Sequence, residues 1–131
     1  MKKIEVVAAI IFDDDKIYCA RRANKGETAL KWEFPGGKIE KGERPEAALV
    51  REIQEELNAT ISVDKYYMSV EHQYNSFFVT MHGYLCSLQE GPLKRNEHVE
   101  DKWLEISELN TLDWAEADKP IVESLIKSIQ Q

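Results

Sequence analysis

The stretch from Gly36 to Asn58, GGKIEKGERPEAALVREIQEELN, combines a glycine-rich loop, a helix and a cluster of carboxylates. Pro45 suits the first turn of a helix, because its missing N–H has no partner there and its fixed φ is already helical. Since no helix-breaking residue follows before Leu57, the sequence predicts a helix over 45–57. The predicted buried stripe of this helix consists of Leu49, Ile53 and Leu57, with Val50 beside them.

A second face of the same helix carries three glutamates. Glu52, Glu55 and Glu56 are spaced i, i+3 and i+4, so their carboxylates project from one side. Like charges at this spacing repel one another, which favours a cation held between them. Mg²⁺ takes oxygen ligands and is usually bound by a few carboxylates together with substrate phosphates. A solvated acidic face without a ligand is the alternative that the helix by itself leaves open.

The loop and the helix together resemble the Nudix box, in which a glycine, a glutamate, an Arg-Glu pair and a Glu-Glu pair stand at fixed intervals. The matching residues here are Gly37, Glu43, Arg51, Glu52, Glu55 and Glu56. Asn58 replaces the glycine that usually follows the helix, and Asn also tolerates a left-handed C-terminal cap. Arg44 stands where Ser or Thr would cap the helix better, which costs about 1 kcal/mol. Neither departure involves a candidate metal ligand.

Length and composition fit a single domain over residues 1–131. The net charge of -7 disfavours a DNA or RNA polymer as partner, whereas a small polyphosphate can bind where cations carry the positive charge. Cys19 and Cys86 have no metal-binding spacing and are expected to be reduced and half-buried. The apolar run after Met1-Lys2-Lys3 is interrupted by Glu5 and is short, so we expect a cytoplasmic location and no membrane partner.

Apolar and β-branched segments on both sides of the helix predict strands. The predicted strands are 4–12, 16–20, 32–34, 60–70, 76–88 and 102–106. The continuous apolar run in the first indicates burial on both faces of a sheet. Ser107 is expected to cap a short helix, and Pro120 to open the last one. These elements place the fold in the α/β or α+β class, and the Nudix resemblance implies a mixed sheet between two helical layers.

Segments outside the box resemble the MutT-type branch of the Nudix family, which cleaves nucleotides. They are Met1–Val6, Arg21-Arg22, Trp32–Gly37, Glu97 and Asp118-Lys119-Pro120. The resemblance implies hydrolysis of a nucleoside triphosphate to the monophosphate and pyrophosphate, with Mg²⁺ or Mn²⁺ as cofactor. The implied metal ligands are the Gly37 carbonyl and the carboxylates of Glu52, Glu55, Glu56 and Glu97.

The same resemblance implies roles in catalysis. Arg51 is expected to orient the box carboxylates as a partner of the metal ligands. Glu52 is the first candidate for positioning or deprotonating the attacking water, and Glu97 is its rival. His72, His82 and His98 share no metal-ligand spacing and are expected to be structural or on the surface.

Four residues are candidates for binding the substrate. The guanidinium of Arg22 suits a phosphate, with a plain surface arginine as the alternative. Phe34 and Tyr74 are candidates for stacking on a base, and core packing explains each equally well. Asp118 stands where enzymes that remove oxidised guanine carry Asn. An ionised aspartate only accepts hydrogen bonds, which favours a base with N–H donors such as cytosine, and capping of the last helix is the alternative.

These residues together predict a metal-dependent nucleoside triphosphate pyrophosphohydrolase that prefers cytidine nucleotides and is a monomer or a homodimer. An 8-oxo-dGTP diphosphatase that cleanses the nucleotide pool is the alternative within the same class. A Nudix-like nucleotide-binding module without turnover is the alternative outside it. The intact set of mutually repelling carboxylates argues against such a module, because loss of catalysis removes the reason to retain them.

Overall fold

The computed structural model describes residues 2–130 and contains one mixed sheet of seven strands with helices on both faces. Met1, the first residue of the N-terminal segment noted above, lies outside the described residues. The strands are β1 (Lys2–Asp13), β2 (Lys16–Arg21), β3 (Trp32–Glu33), β4 (Gly36–Lys38), β5 (Thr60–Gln73), β6 (Phe77–Glu90) and β7 (Glu100–Glu105). The helices are α1 (Pro45–Leu57) and α2 (Lys119–Ser128), with 3₁₀ turns at Ile106–Thr111 and Glu116–Asp118.

The strands lie in the order β3-β2-β1-β6-β5, with β4 also pairing with β1 and β7 with β2. The long central pair of β1 and β6 is parallel, whereas the other strand pairs are antiparallel. This mixed sheet between two helices confirms the predicted α/β/α arrangement. Within residues 2–130, no helix combines the length and the apolar character that crossing a bilayer requires.

The centre of β1 is buried on both faces, as its continuous apolar sequence predicts. Alternate side chains belong to two separate clusters, because successive residues of a strand point to opposite faces. The α1 cluster contains Val7, Ala9 and Ile11 of β1 with Leu49, Ile53 and Leu57 of the helix. The α2 cluster contains Ala8 and Ile10 with Ile121, Val122 and Leu125. Cys19 and Cys86 are free and fully buried rather than half-buried, and burial raises the pKa of each thiol to about 12.

Two local expectations around the helices are wrong. Val50 is 38% exposed, and Ala48 is buried instead because α1 also packs against β4. The 3₁₀ turn that begins at Ile106 is capped by a box between Glu105 and Glu108, so Ser107 lies inside it and does not cap it. The structure confirms both departures noted around α1: Asn58 adopts φ 51° and ψ 39°, and the Arg44 side chain makes no capping hydrogen bond.

The expected glycine loop forms strand β4, which pairs antiparallel with β1. The approach is so close that a Cβ atom on Gly36 would lie 1.9 Å from the Val7 carbonyl oxygen. Only glycine allows this contact, because any side chain would overlap the backbone of β1. The tight pairing brings the residues around Gly37 next to the glutamate face of α1.

Candidate active site

A cavity of about 750 Å³ opens beside β4 and extends to the loops that precede β7 and α2. Its lining includes seven of the predicted site residues, namely Arg22, Phe34, Gly37, Glu56, Tyr74, Glu97 and Asp118. Glu52, Glu55 and Arg51 are not among the lining residues. The volume falls in the range of pockets that bury small ligands.

Arg51 binds the outer carboxylates of the box. Its Nε and Nη2 atoms donate to the two oxygens of Glu43 at 2.8 and 3.0 Å. Its Nη1 donates to Glu52 at 2.9 Å and to Glu55 at 3.4 Å. The bonds from Arg51, with the Glu40 N–H, lower the pKa of Glu43 to about 2. One guanidinium therefore offsets the repulsion among three carboxylates, as expected of a residue that orients metal ligands.

The carboxylate of Glu52 is fixed between Arg51 and the backbone of β4. A Cβ atom placed on Gly37 would lie 2.3 Å from the Glu52 carboxylate, so any side chain there would displace it. Glycine at this position is therefore needed for the contact between the loop and the helix. Glu52 is also close enough to Glu56, which lines the cavity, to raise the pKa of its carboxyl group.

Glu56 has the opposite electrostatic environment. Burial raises its pKa to about 8, and the negative charges of Glu33, Glu52 and Glu97 act in the same direction. All of these effects favour the neutral carboxyl group. A divalent cation beside Glu56 would reverse this preference, because the cation stabilises the ionised form.

The donor chemistry around Glu56 fits Mg²⁺ or Mn²⁺, which prefer carboxylate and carbonyl oxygens. In the part of the chain that the structure describes, no three Asp, Glu, His or Cys side chains converge as a ready cage for an ion. This arrangement matches the habit of Mg²⁺, which is held by one or two carboxylates and completes its shell with water and substrate phosphates. The fit therefore requires a phosphate ligand as well as the protein.

Asp118 also lines the cavity and is 4% exposed. One of its oxygens accepts a hydrogen bond from the Phe34 N–H at 2.9 Å. Its side chain makes no capping bond to α2, so the capping alternative is wrong. Burial and the nearby charge of Glu33 raise the pKa of Asp118 well above its usual range. The buried carboxyl group is thus biased toward its neutral form, which can donate as well as accept.

The two aromatic candidates differ in their availability. Phe34 is 2% exposed and packs on Trp114, with ring centroids 4.7 Å apart, so core packing accounts for it. Tyr74 is half-buried, and its hydroxyl oxygen accepts from the Ala117 N–H at 2.9 Å. The hydroxyl hydrogen of Tyr74 is still available as a donor beside Asp118.

Arg22, Glu33 and His98 form a polar cluster on the cavity wall. The Nη1 of Arg22 donates to one oxygen of Glu33 at 3.0 Å. The Nε2 of His98 is 2.8 Å from the other oxygen of Glu33. Both Glu33 oxygens are thus engaged, and all three residues line the cavity.

The NUDIX domain family model matches residues 2–125. The chain belongs to the Nudix family. An 8-oxo-dGTP diphosphatase from Escherichia coli (strain K12) is 35% identical over 126 residues, which cover 95% of this chain and 98% of that protein. A CTP pyrophosphohydrolase from the same strain is 37% identical over 126 residues, with 96% and 93% covered.

A solved Nudix structure supports the same assignment. The solution NMR structure of the DNA mismatch repair protein MutT, a Nudix hydrolase from methicillin-resistant Staphylococcus aureus 252, has a TM-score of 0.79 and 43% identity. The similarity covers 98% of this chain and 99% of that one. The prediction of a MutT-type Nudix enzyme is thereby confirmed.

Sequence reasoning did not select two residues that line the cavity. His98 was expected to be structural or on the surface, yet it is 9% exposed and lines the cavity. Glu33 was not selected, although it stands between two buried aromatic residues, Trp32 and Phe34, immediately before the glycines. Because successive side chains of a strand point to opposite faces, Glu33 must face away from the side on which Trp32 and Phe34 are buried. This alternation is the sequence signal by which Glu33 could have been selected.

Proposed function

We propose that this Nudix enzyme hydrolyses nucleoside triphosphates to monophosphates and pyrophosphate with Mg²⁺ or Mn²⁺, and that cytidine nucleotides are its preferred substrates. The observation that carries the proposal is one cavity whose wall includes both the raised-pKa Glu56 and the buried Asp118. A triphosphate with its cation satisfies the first residue, and a base with polar edges satisfies the second.

The metal ligands in this proposal are the Gly37 carbonyl and the carboxylates of Glu52, Glu55, Glu56 and Glu97. A bound divalent cation neutralises the polyphosphate and lowers the pKa of a water molecule. Arg51 holds Glu52 in one orientation, so Glu52 is placed to take a proton from the attacking water. Glu97 is exposed on the loop before β7 and is the rival base. The water oxygen forms a bond to phosphorus, the bond that joins the α and β phosphates breaks, and pyrophosphate leaves.

The preference for cytidine depends on Asp118. Because burial favours its neutral form, the carboxyl group offers one O–H donor and one carbonyl acceptor. Cytosine presents an acceptor, N3, beside a donor, its exocyclic amine. A neutral carboxyl group can pair with both at once, whereas the ionised aspartate assumed from sequence can pair only with the amine.

The same neutral carboxyl group supports 8-oxo-dGTP as a second candidate substrate. A protonated Asp118 presents a donor and an acceptor, as the amide of Asn does. The N7–H and O6 of 8-oxoguanine form a matching edge. The relatives named for CTP and for 8-oxo-dGTP are 37% and 35% identical to this chain, so identity favours neither substrate.

A panel of triphosphates tests the proposal directly. CTP, dCTP, UTP, dGTP and 8-oxo-dGTP are each incubated with the enzyme and Mg²⁺, and pyrophosphate release is measured. We expect the highest kcat/KM for CTP or dCTP, and no turnover in EDTA. A higher kcat/KM for 8-oxo-dGTP would replace the cytidine assignment with the second candidate. Absence of turnover on every substrate would overturn the proposed activity.

Glu52→Gln tests the role of the first candidate base. We expect kcat to fall by roughly 10²-fold or more, because the amide cannot take a proton or bind the cation as an anion does. The melting temperature should stay close to that of the wild type. Near-normal turnover in the variant would show that Glu52 is not the base. Turnover of Glu97→Gln would then test the rival base, Glu97.

Asp118→Ala tests base selection, because Asn would present the same donor and acceptor as the neutral carboxyl group. We expect kcat/KM for the preferred nucleotide to fall by about tenfold, the value of one hydrogen bond of about 1.4 kcal/mol. Asp113→Ala is the matched control, because Asp113 is exposed and pairs with Lys31 away from the cavity. An unchanged kcat/KM in folded Asp118→Ala would leave Asp118 with only its structural bond to the Phe34 backbone.

A further inference from the structure

The C-terminal end of α1 is completed by a distant part of the chain. The last four carbonyl groups of a helix have no donor within the helix itself. In α1, the Gln54 carbonyl accepts a hydrogen bond from the N–H of Asn58 at 3.1 Å. The next three carbonyls accept instead from the loop over residues 91–99, which joins β6 to β7. This loop therefore supplies the donors that the end of the helix lacks.

Asn96 provides two of these three hydrogen bonds. Its backbone N–H donates to the Glu56 carbonyl at 3.1 Å, and its side-chain Nδ2 donates to the Glu55 carbonyl at 2.9 Å. The Lys94 N–H donates to the Leu57 carbonyl at 2.8 Å. Because the two bonds from Asn96 reach successive carbonyls, they restrict the orientation of this residue on the helix as well as its distance from the helix.

The residues that Asn96 joins carry carboxylates that the proposed function assigns to the metal ion. Glu55 and Glu56 accept its two bonds, and Glu97 follows it directly in the sequence. Glu97 and Glu56 both line the cavity, and the charge of Glu97 raises the pKa of Glu56, so these carboxylates are close. Glu97 is exposed on its loop. Since an exposed side chain has little packing to hold it, its place beside α1 depends on the bonds that its neighbours make.

We propose that Asn96 is a positioning residue, which holds Glu97 at the C-terminal end of α1 so that its carboxylate can bind the same divalent cation as the helix glutamates. This inference rests on the proposed function, because it takes Glu97 as a metal ligand. Asn96 acts through the backbone of the loop and does not itself bind the cation. Loss of its side-chain bond leaves the backbone bonds of Lys94 and Asn96 in place, so the loop stays attached while Glu97 becomes less restricted.

Manganese affinity tests this role without depending on turnover. Mn²⁺ is titrated by electron paramagnetic resonance in the presence of the α,β-methylene analogue of the triphosphate with the highest kcat/KM, which cannot be cleaved between the α and β phosphates. We expect Asn96→Ala to raise the dissociation constant of Mn²⁺ about tenfold, the value of one hydrogen bond. Asn96→Gln retains an amide donor and should raise it by less than about threefold.

Gln54→Ala is the matched control for these variants. It removes an exposed amide from the same turn of α1, and the side-chain bonds of Gln54 are to Asn58 and Thr60 rather than to the 91–99 loop. The dissociation constant of Mn²⁺ should therefore stay within about twofold of the wild-type value.

A double-mutant cycle separates the positioning of Glu97 from a merely structural role. If Asn96 acts through Glu97, Asn96→Ala should change the dissociation constant of Mn²⁺ by less than about twofold in a Glu97→Gln background. Amide hydrogen exchange of the wild type checks the contacts themselves. The N–H groups of Lys94 and Asn96 should exchange at least tenfold more slowly than in the unfolded chain. Should Asn96→Ala fail to fold, Asn96→Ser removes the same amide and takes its place in the cycle.

Several results would overturn the inference and leave the proposed function standing. One is a wild-type affinity for Mn²⁺ in folded Asn96→Ala, and another is an equal effect of this variant with and without the Glu97 carboxylate. Unchanged affinity in Glu97→Gln, or unprotected N–H groups at Lys94 and Asn96, would do the same. Failure of the wild type to cleave any triphosphate would remove the proposed function, and this inference with it.

Discussion

Two groups of carboxylates, each with at least one member on helix α1, have opposite electrostatic environments. The Arg51 cluster consists of Glu43, Glu52 and Glu55 around the guanidinium of Arg51. The cavity cluster consists of Glu33, Glu56, Glu97 and Asp118. In the first, hydrogen bonds from Arg51 lower the pKa of Glu43 to about 2. In the second, burial and mutual repulsion raise the pKa of Glu56 to about 8 and that of Asp118 well above its usual range.

The two clusters differ in whether the protein itself supplies a cation to the carboxylates. The Arg51 cluster contains its own cation, so its carboxylates are paired within the protein. The cavity cluster places several acidic groups near one another with Arg22 and His98 bound to only one of them, Glu33. Burial of unpaired carboxylates is costly, and proteins retain such costs mainly at functional sites. We therefore expect the folded protein to become more stable when a carboxylate of the cavity cluster is replaced by a neutral group.

Replacing Glu56 tests this comparison with the largest expected effect. Glu56→Gln should lower kcat/KM with Mg²⁺ by roughly 10²-fold or more, because a metal ligand is lost. In metal-free buffer above pH 8, the same variant should melt at a higher temperature than wild type, because a repelled, half-buried charge is gone. Turnover assays and thermal unfolding measure the two effects. Glu46→Gln, at the exposed start of α1, is the control and should leave kcat/KM unchanged without raising the melting temperature, because it removes a negative charge that favours the helix N-terminus.

A lower kcat/KM together with a higher melting temperature is the result expected for a variant of the cavity cluster. Retention of more than about a tenth of the activity in Glu56→Gln would show that Glu56 is not an essential ligand. A lower melting temperature would show that its carboxyl group stabilises the fold, in the manner of the Arg51 cluster.

The comparison also explains which parts of the site were predictable. The Arg51 cluster lies within a short segment, so the spacing of the box is enough to place its carboxylates together. The helix predicted over 45–57 also has the bounds observed in the structure. The contact between Glu33 and His98 joins residues 65 positions apart, which no local pattern indicates. The pKa of Asp118 is raised because the side chain is buried by surrounding strands and loops. Strand β4 forms because Gly36 packs closely on β1. These features depend on tertiary packing rather than on spacing.

Replacing Glu43 tests the other side of the comparison. Glu43→Gln should lower stability at neutral pH, because Arg51 loses its two-pronged partner. The folded pKa is depressed from 4.5 to about 2, so the contribution is fully present above pH 4.5 and is lost as the pH falls toward 2. Melting curves at pH 7, 4 and 2.5 should therefore show a difference from the wild type that shrinks with acidification. Glu40→Gln is the control, since its side chain is 70% exposed and 3.7 Å from Arg51.

A difference that grows on acidification would contradict this account of Glu43. It would mean that the carboxylate is repelled in the folded state rather than paired with Arg51. The Arg51 cluster would then behave as the cavity cluster does, and the distinction between them would fail.

The smallest expected effect concerns the helix that both clusters share. Arg44 occupies the N-cap of α1 with φ -75° and ψ 145° but makes no side-chain capping bond. Arg44→Ser should raise the free energy of unfolding by about 1 kcal/mol, because the hydroxyl group can accept from a free N–H of the first turn. Removal of a positive charge from the helix N-terminus acts in the same direction. Urea unfolding measures the gain, and kcat/KM should stay within about twofold of wild type, because neither cluster is altered. A gain in stability accompanied by a large loss of activity would mean that the N-terminus of α1 controls the position of the carboxylates. The difference between the two clusters would then depend on helix geometry rather than on charge pairing.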